Sequence, residues 1–143
     1  MTNHVDAGRL WAGGVATAAV SGLIAIAGIL IARGLFDVPI LAPKGEGVWG
    51  DADTARYALW CALAALVATG LLHLLLVTTP RPFQFFRWII GLATLVAAVA
   101  PFGTSGSTES KFATALINLV VGIAIGGLVR GVARNAQRTA RPA

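Results

Sequence analysis

Four stretches of the chain are almost continuously apolar, and short polar segments separate them. The stretches cover residues 10–35, 57–77, 83–102 and 112–129. A helix needs about 20 predominantly apolar residues to cross a hydrocarbon core of roughly 30 Å, and each stretch has about that length. The pattern therefore predicts an all-α fold, an integral membrane four-helix bundle with up-down-up-down connections, formed as a single domain by residues 1–143.

The polar segments contain residues that begin or end helices. The segment 37–54 is rich in proline and glycine, which predicts an outer loop without a long helix. Asp53 or Thr54 is expected to cap the second helix. Pro80 ends that helix, while Pro82 falls in the first turn of the third, where a helix tolerates proline best.

Composition and charge support the membrane interpretation and orient the chain. Of 143 residues, 57% are hydrophobic and 12% charged, with a mean hydropathy of +0.79, which is more apolar than a soluble domain. Basic residues in short loops mark the cytoplasmic side. The N-terminus, the link between spans two and three and the tail 130–143 hold seven of them against the single acid Asp6. Both termini are therefore expected to be cytoplasmic in a multi-pass plasma (inner) membrane protein.

Some of these basic residues are candidates for contact with anionic lipid headgroups. The arginines of the tail recur about every four residues, which would place them along one helix face. The tail has no interleaved aromatic residues for base stacking, so nucleic acid is not an expected partner. Simple snorkelling at the interface is the alternative. The predicted headgroup contacts are Arg81, Arg87, Arg130, Arg134, Arg138 and Arg141.

Two polar side chains inside the spans, His73 and Asn118, are the candidate intramembrane polar sites, because hydrocarbon penalises such groups unless they find partners. A helical rise of about 1.5 Å per residue places them about 15 Å apart in depth, so one site cannot use both. Thr17 lies level with His73, and Thr94 lies within a turn of Asn118. Hydrogen bonds between helices are one explanation for these residues, and handling of a proton or solute is the other.

Small residues predict one close helix contact. Gly122 and Gly126 form a small-xxx-small pair in the fourth span, a pattern typical of close packing. Their depths match those of Gly22 and Ala18 in the first span. We therefore expect the fourth span to pack on the first through these four residues, and a homodimer seam is the alternative.

Chemistry-bearing motifs are absent from the sequence. No Asp or Glu lies inside a span, which argues against a four-span proton-coupled multidrug antiporter. Phosphate-binding loops, zinc-binding histidine pairs and nucleophile elbows are missing, and the single Cys61 cannot form an internal disulfide. We therefore expect no catalytic residues, no cofactor and no bound metal, and a protein that is not an enzyme.

The chain resembles an uncharacterised actinobacterial family of small four-span membrane proteins, grouped as a domain of unknown function. The resemblance covers nearly all of residues 9–135. It implies a shared fold and a plasma-membrane setting, but no activity, substrate or catalytic residue. The segments that carry it are Arg9-Leu10-Trp11-Ala12-Gly13-Gly14, Pro39-Ile40-Leu41-Ala42-Pro43, Leu72-His73-Leu74-Leu75-Leu76 with Pro80 and Pro82, and Ala115-Leu116-Ile117-Asn118-Leu119.

Two main functional hypotheses follow. The first is a non-catalytic accessory, assembly or lipid-interacting module, whose partners are membrane lipids and either a larger membrane complex or a second copy. The second is a small channel or transporter subunit, with Asn118, Thr94 and the outer charges at its mouth and His73 near its inner exit. A helix-lined cavity that runs from the outer loop past Asn118 would favour transport, whereas a closed bundle would favour the module.

Overall fold

Four long helices and a short hairpin make up the protein. The computed structural model describes residues 5–45 and 48–139. The helices are α1 (Ala7–Phe36), α2 (Thr54–Thr78), α3 (Pro82–Val99) and α4 (Thr108–Thr139), and a 3₁₀ turn (Ala100–Gly103) continues α3. Strands β1 (Leu41–Gly45) and β2 (Val48–Asp51) lie between α1 and α2. The predicted all-α bundle of four long apolar helices is confirmed.

Many large apolar side chains lie on the surface of the bundle, and several small polar ones lie inside it. Leu23 and Leu30 are 64% and 61% exposed, whereas Thr17, Ser21 and Thr69 are buried. Each of these three hydroxyls bonds to a carbonyl one turn earlier in its own helix, which satisfies it without a partner helix. Such an arrangement suits a lipid surrounding, and all four helices are long and apolar enough to span a membrane.

Helix α1 packs closely on α2 and α4, but its contact with α4 does not use Gly122 or Gly126. A Cβ added to Gly122 would lie 2.3 Å from the Thr94 hydroxyl, which belongs to α3. Gly126 faces α3 as well, since its Cβ would lie 3.1 Å from Ile90. The prediction that these two glycines contact α1 is therefore wrong. Equal depth in the membrane does not fix the direction in which a residue faces around its helix axis.

Other small residues make the close contacts of α1. Added Cβ atoms on Gly13 and Gly28 would meet Val132 at 2.1 Å and Ile117 at 2.9 Å, and both of these residues belong to α4. Gly22, by contrast, faces the Ala58 carbonyl of α2 at 3.5 Å, while Ala18 is buried. Helices α1 and α4 are therefore neighbours, as predicted, although different glycines bring them together.

Helix α3 is the least buried of the four. All of α3 is described, and only Pro82 and Phe86 in it are buried. Phe86 is fully buried and anchors the start of the helix in the core. Beyond this anchor, α3 lies mainly against α4 and much less against α2. The weak contact between α2 and α3 leaves space between them.

The predicted outer loop contains a β-hairpin at one end of the bundle. Asp37 ends α1 in the left-handed conformation (φ 52°), which the short polar side chain of Asp tolerates. Strands β1 and β2 pair antiparallel, with Leu41 opposite Asp51. The backbone N–H of Leu41 donates to Thr114 Oγ1 of α4 at 2.9 Å, which fixes the hairpin to the bundle. We call this end the hairpin end and the opposite end the tail end.

Candidate functional site

A groove of about 1470 Å³ lies between α2 and α3, with α4 at its base. This volume exceeds the roughly 300–1,000 Å³ of common small-ligand pockets. The small side chains of α2 and α3 that line it leave the space open. They are Cys61, Ala64 and Ala68 on α2 and Ala93, Ala97 and Ala100 at the opposite wall. Val121 and Ile125 of α4, both buried, form the base.

The groove opens through the side of the bundle. Trp60 and Val67 line it and are nevertheless 63% and 65% exposed. Ile89, on the opposite wall, is also exposed. A molecule can therefore enter the groove from the surrounding apolar phase without passing through the bundle.

Toward the tail end the lining of the groove is entirely apolar. Its last lining residues are Leu71, Ile89, Ile90 and Ile125. The next buried side chains in that direction, Leu72, Phe86 and Val129, belong to the hydrophobic core. As far as the described side chains show, the charged and hydrogen-bonding groups that line the groove lie in its half toward the hairpin.

Two arginines and one aspartate line the polar mouth. Arg33, at the end of α1, donates from Nη1 to the Thr54 hydroxyl at 3.0 Å and from Nη2 to the carbonyl of Ala52. These bonds hold its half-buried guanidinium against the start of α2. Arg56 is exposed in the first turn of α2.

Asp53 caps α2 at this mouth. Its Oδ1 accepts the Arg56 backbone N–H at 3.1 Å, which confirms the Asp53 alternative of the predicted cap. This hydrogen bond, aided by the charges of Arg56 and Arg33, lowers the pKa of the Asp53 carboxyl below its ordinary value. The carboxylate is therefore ionised at neutral pH, and its Oδ1 is already hydrogen-bonded to the backbone at the start of α2.

Below the mouth, Asn118 joins three helices. Its Oδ1 accepts a hydrogen bond from the Tyr57 hydroxyl of α2, and its Nδ2 donates to the Ala97 carbonyl of α3 at 2.7 Å. Thr94, the predicted neighbour of Asn118, also lines the groove. Sequence reasoning did not identify Tyr57 as a partner. A tyrosine one turn into an apolar span was the available signal, because a buried tyrosine hydroxyl usually finds a hydrogen-bond partner.

His73 and Thr17 lie outside the set of residues that line the groove. The Trp11 indole N–H donates to His73 Nδ1 at 3.2 Å, and the two rings meet edge to face. Thr17 instead donates to the Gly13 carbonyl at 2.8 Å within α1. The partner of His73 is thus Trp11 and not the predicted Thr17. Trp11 lies nearly two helical turns closer to the tail end than Thr17, and its long side chain reaches His73.

The tail-end arginines have varied surroundings. Arg134 lies over the Phe83 ring, with 5.5 Å between Cζ and the ring centroid, and Arg130 Nε donates to the Gly126 carbonyl at 3.0 Å. The other predicted headgroup contacts in the described part, Arg81, Arg87 and Arg138, are exposed, while Arg141 lies outside it. Among the described residues, no group of three or more His, Cys, Asp or Glu could hold a metal ion.

Comparison with models of known protein families assigns the chain to one of them. The sequence profile of a family of unknown function, DUF6069, matches residues 5–135. The chain belongs to the DUF6069 family. Neither the curated proteins nor the solved structures gave a significant match. The groove is therefore the feature of this DUF6069 protein that bears most directly on its function.

Proposed function

We propose that this protein is a non-catalytic membrane module that holds one membrane lipid in the groove between α2 and α3. The observation that carries the proposal is the shape and polarity of the groove. It is open to the side, where Trp60 and Val67 are exposed, apolar along its length, and polar at the hairpin end. A membrane lipid has the same distribution, with a polar head at one end of apolar chains.

The depth of the groove supports a lipid from a single leaflet. On α2 its lining extends from Thr54 to Leu71, which is about 26 Å at the helical rise of about 1.5 Å per residue, and the part from Tyr57 onward is about 21 Å. One leaflet contributes about half of a hydrocarbon core of roughly 30 Å. The part below Tyr57 is therefore long enough for the acyl chains of one lipid, and the lining stops at Leu71, about 10 Å before α2 ends at Thr78.

A transporter or channel subunit is the second candidate. The groove runs from the hairpin end past Asn118, which is the feature expected for transport. The fully buried Phe86 beyond its last lining residues and its apolar lining beyond Thr94 argue against an ion path in this conformation. Flux of ions or small solutes across proteoliposomes that contain only this protein would favour the second candidate over the first.

The proposal includes a location and partners. The tail end has seven basic residues and the hairpin end has four. This difference supports a cytoplasmic tail end, with both termini on the cytoplasmic side of the plasma membrane. The exposed arginines there, with Arg134 and Arg130, are proposed to contact anionic headgroups. We also propose that the protein comes from an actinobacterium and that it assembles with a larger membrane complex or with a second copy.

Filling the groove tests the lipid proposal. Ala64→Phe and Ala93→Phe each put a large ring into the groove, and Leu92→Phe puts the same ring on the neighbouring exposed face of α3, which does not line it. Lipids that remain bound after mild-detergent purification are counted by native mass spectrometry. We expect about one retained lipid per chain in the unmodified protein and in Leu92→Phe, and fewer in the two groove variants. Equal retention in all four proteins would contradict the proposal.

A further inference from the structure

We infer that the groove selects an anionic glycerophospholipid, whose phosphate group lies between Arg33 and Arg56 at the hairpin end. This inference rests on the proposed lipid-binding function and adds the chemistry of the headgroup and the leaflet from which the lipid comes. With the proposed orientation, that leaflet is the outer one.

The described side chains at the mouth favour an anionic headgroup by their charge. Among the described side chains that line the groove, the charged ones are Arg33, Arg56 and Asp53, and these three together carry one net positive charge. Asp53 already accepts the Arg56 backbone N–H, which directs one of its oxygens to the end of α2. An anionic headgroup is therefore favoured at this mouth over a neutral one, and guanidinium groups bind phosphate oxygens well.

Arg33 is held in a fixed position at the mouth. Its bonds to Thr54 and to the Ala52 carbonyl hold a half-buried guanidinium at the edge of the groove. A cation held in place by the protein loses less side-chain entropy when it binds an anion than a freely moving surface arginine does. Arg56, one turn or less from Thr54 on the same helix, adds a second, exposed positive charge.

Two uncharged polar side chains lie below the arginines. Tyr57 and Asn118 form a hydrogen-bonded pair that lines the groove between the charged mouth and the apolar walls. The ester groups of a glycerophospholipid lie in the same order, between the phosphate and the acyl chains. An asparagine amide has two N–H donors, of which the Ala97 carbonyl takes one, and an ester carbonyl is a suitable acceptor for such a group.

A competition experiment tests the headgroup selection. The purified protein is equilibrated with mixed micelles that contain equal amounts of phosphatidylglycerol and phosphatidylcholine with identical acyl chains, and the bound lipids are identified by native mass spectrometry. The unmodified protein is expected to retain mainly phosphatidylglycerol. Arg56→Gln should lower the ratio of bound phosphatidylglycerol to phosphatidylcholine by about fivefold, because one basic residue near an anionic lipid strengthens binding by about this factor.

Matched variants separate headgroup recognition from folding. Arg33→Gln should lower the same ratio, whereas Arg33→Lys keeps the charge and should lower it less. Arg33 also holds the start of α2, so its variants change these contacts as well. Arg56→Gln leaves the contacts of Arg33 with Thr54 and Ala52 in place. Lys111→Gln removes a positive charge at the same end of the bundle from a residue that does not line the groove, so the ratio should stay unchanged.

The outcomes distinguish this inference from the proposed function. Retention of one lipid with no preference between the two headgroups would overturn the inference and leave lipid binding in place. A ratio that falls equally in Lys111→Gln and Arg56→Gln would also overturn it, since general surface charge would then explain the preference. Failure of the unmodified protein to retain any lipid, or occupation of the groove by a second copy of the chain, would overturn the proposed function itself.

Discussion

The hydroxyl of Tyr57 donates a hydrogen bond to Oδ1 of Asn118, and this contact joins α2 to α4 across the groove. The same Asn118 side chain holds α3 through the Ala97 carbonyl. Because α3 is buried only at Pro82 and Phe86, Asn118 provides its polar attachment in the half of the bundle near the hairpin.

Substitution of this pair should weaken the bundle in a coupled way. We expect Tyr57→Phe to lower the free energy of unfolding by about 0.6 kcal/mol and Asn118→Leu by about 1–2 kcal/mol, typical of hydrogen bonds between membrane helices. The double variant should cost less than the sum of the two, because both remove the same bond. Unfolding in mild detergent measures these values, and strictly additive effects would show that the two side chains do not interact.

Close packing of Gly122 on Thr94 gives a second prediction. A Cβ at position 122 would lie 2.3–2.8 Å from the Thr94 side chain, so Gly122→Ala should overpack the contact between α3 and α4 and cost about 1–3 kcal/mol. Thr94→Gly, which removes the opposing side chain, should restore much of the loss in the double variant.

The control for this prediction is another glycine of α4. Gly127 has nothing within 4 Å of its added Cβ, so Gly127→Ala should be neutral or slightly stabilising in a helix. If Gly122→Ala and Gly127→Ala behaved alike in thermal unfolding, the contact between Gly122 and Thr94 would not be present.

The cap of α2 predicts a dependence on pH. The pKa of Asp53 is lowered in the folded protein, chiefly by the hydrogen bond from the Arg56 backbone N–H. Its contribution to stability is therefore present above its ordinary pKa of 3.8 and is lost as the pH falls through the lower folded value. Asp53→Ala should lower Tm at neutral pH, whereas Asp53→Asn keeps an acceptor and should lower it less.

Comparison of Tm between pH 7 and pH 3 tests the sign of this effect. The unmodified protein should lose more stability on acidification than Asp53→Asn, because the asparagine cap does not titrate. Glu109→Gln, at the start of α4 near the same end, serves as the control for removal of an acid. An identical acid response of Asp53→Asn and the unmodified protein would contradict a role of the Asp53 charge.

The proposed orientation can be tested by cysteine labelling. In a Cys61→Ala background, a single cysteine at Ser107 should react with a membrane-impermeant maleimide in intact cells, since it lies at the hairpin end. A single cysteine at Ala140 should react only after permeabilisation. The reverse pattern would show that the tail end faces outward.

Some of this structure follows directly from the sequence, and some does not. The four helices were predictable because apolar length and the positions of Pro80 and Pro82 are local properties. The hairpin was not predicted, because β1 and β2 contain Pro43, Gly45 and Gly50, which are depleted in strands. Pairing of these residues depends instead on how α1 and α2 bring their ends together.

The candidate site was predictable only in part. Asn118 and Thr94 stood out as polar residues in apolar surroundings, and both line the groove. The groove itself depends on the distance between α2 and α3, which hydropathy does not determine. The depth of Gly122 in the membrane does not determine the direction in which it faces around the α4 axis. Depth alone therefore predicts a contact with α1, whereas the structure has a contact with α3.

Photo-crosslinking with a lipid tests the central claim most directly. The protein is reconstituted with a phosphatidylglycerol that carries a diazirine in one acyl chain, and the labelled peptides are identified by mass spectrometry. The account predicts that labelling concentrates on the groove faces of α2, α3 and α4 and that Ala93→Phe reduces it while Leu92→Phe does not. Uniform labelling of all exposed apolar faces, including that of Leu23 and Leu30 on α1, together with no effect of Ala93→Phe, would contradict a bound lipid in the groove.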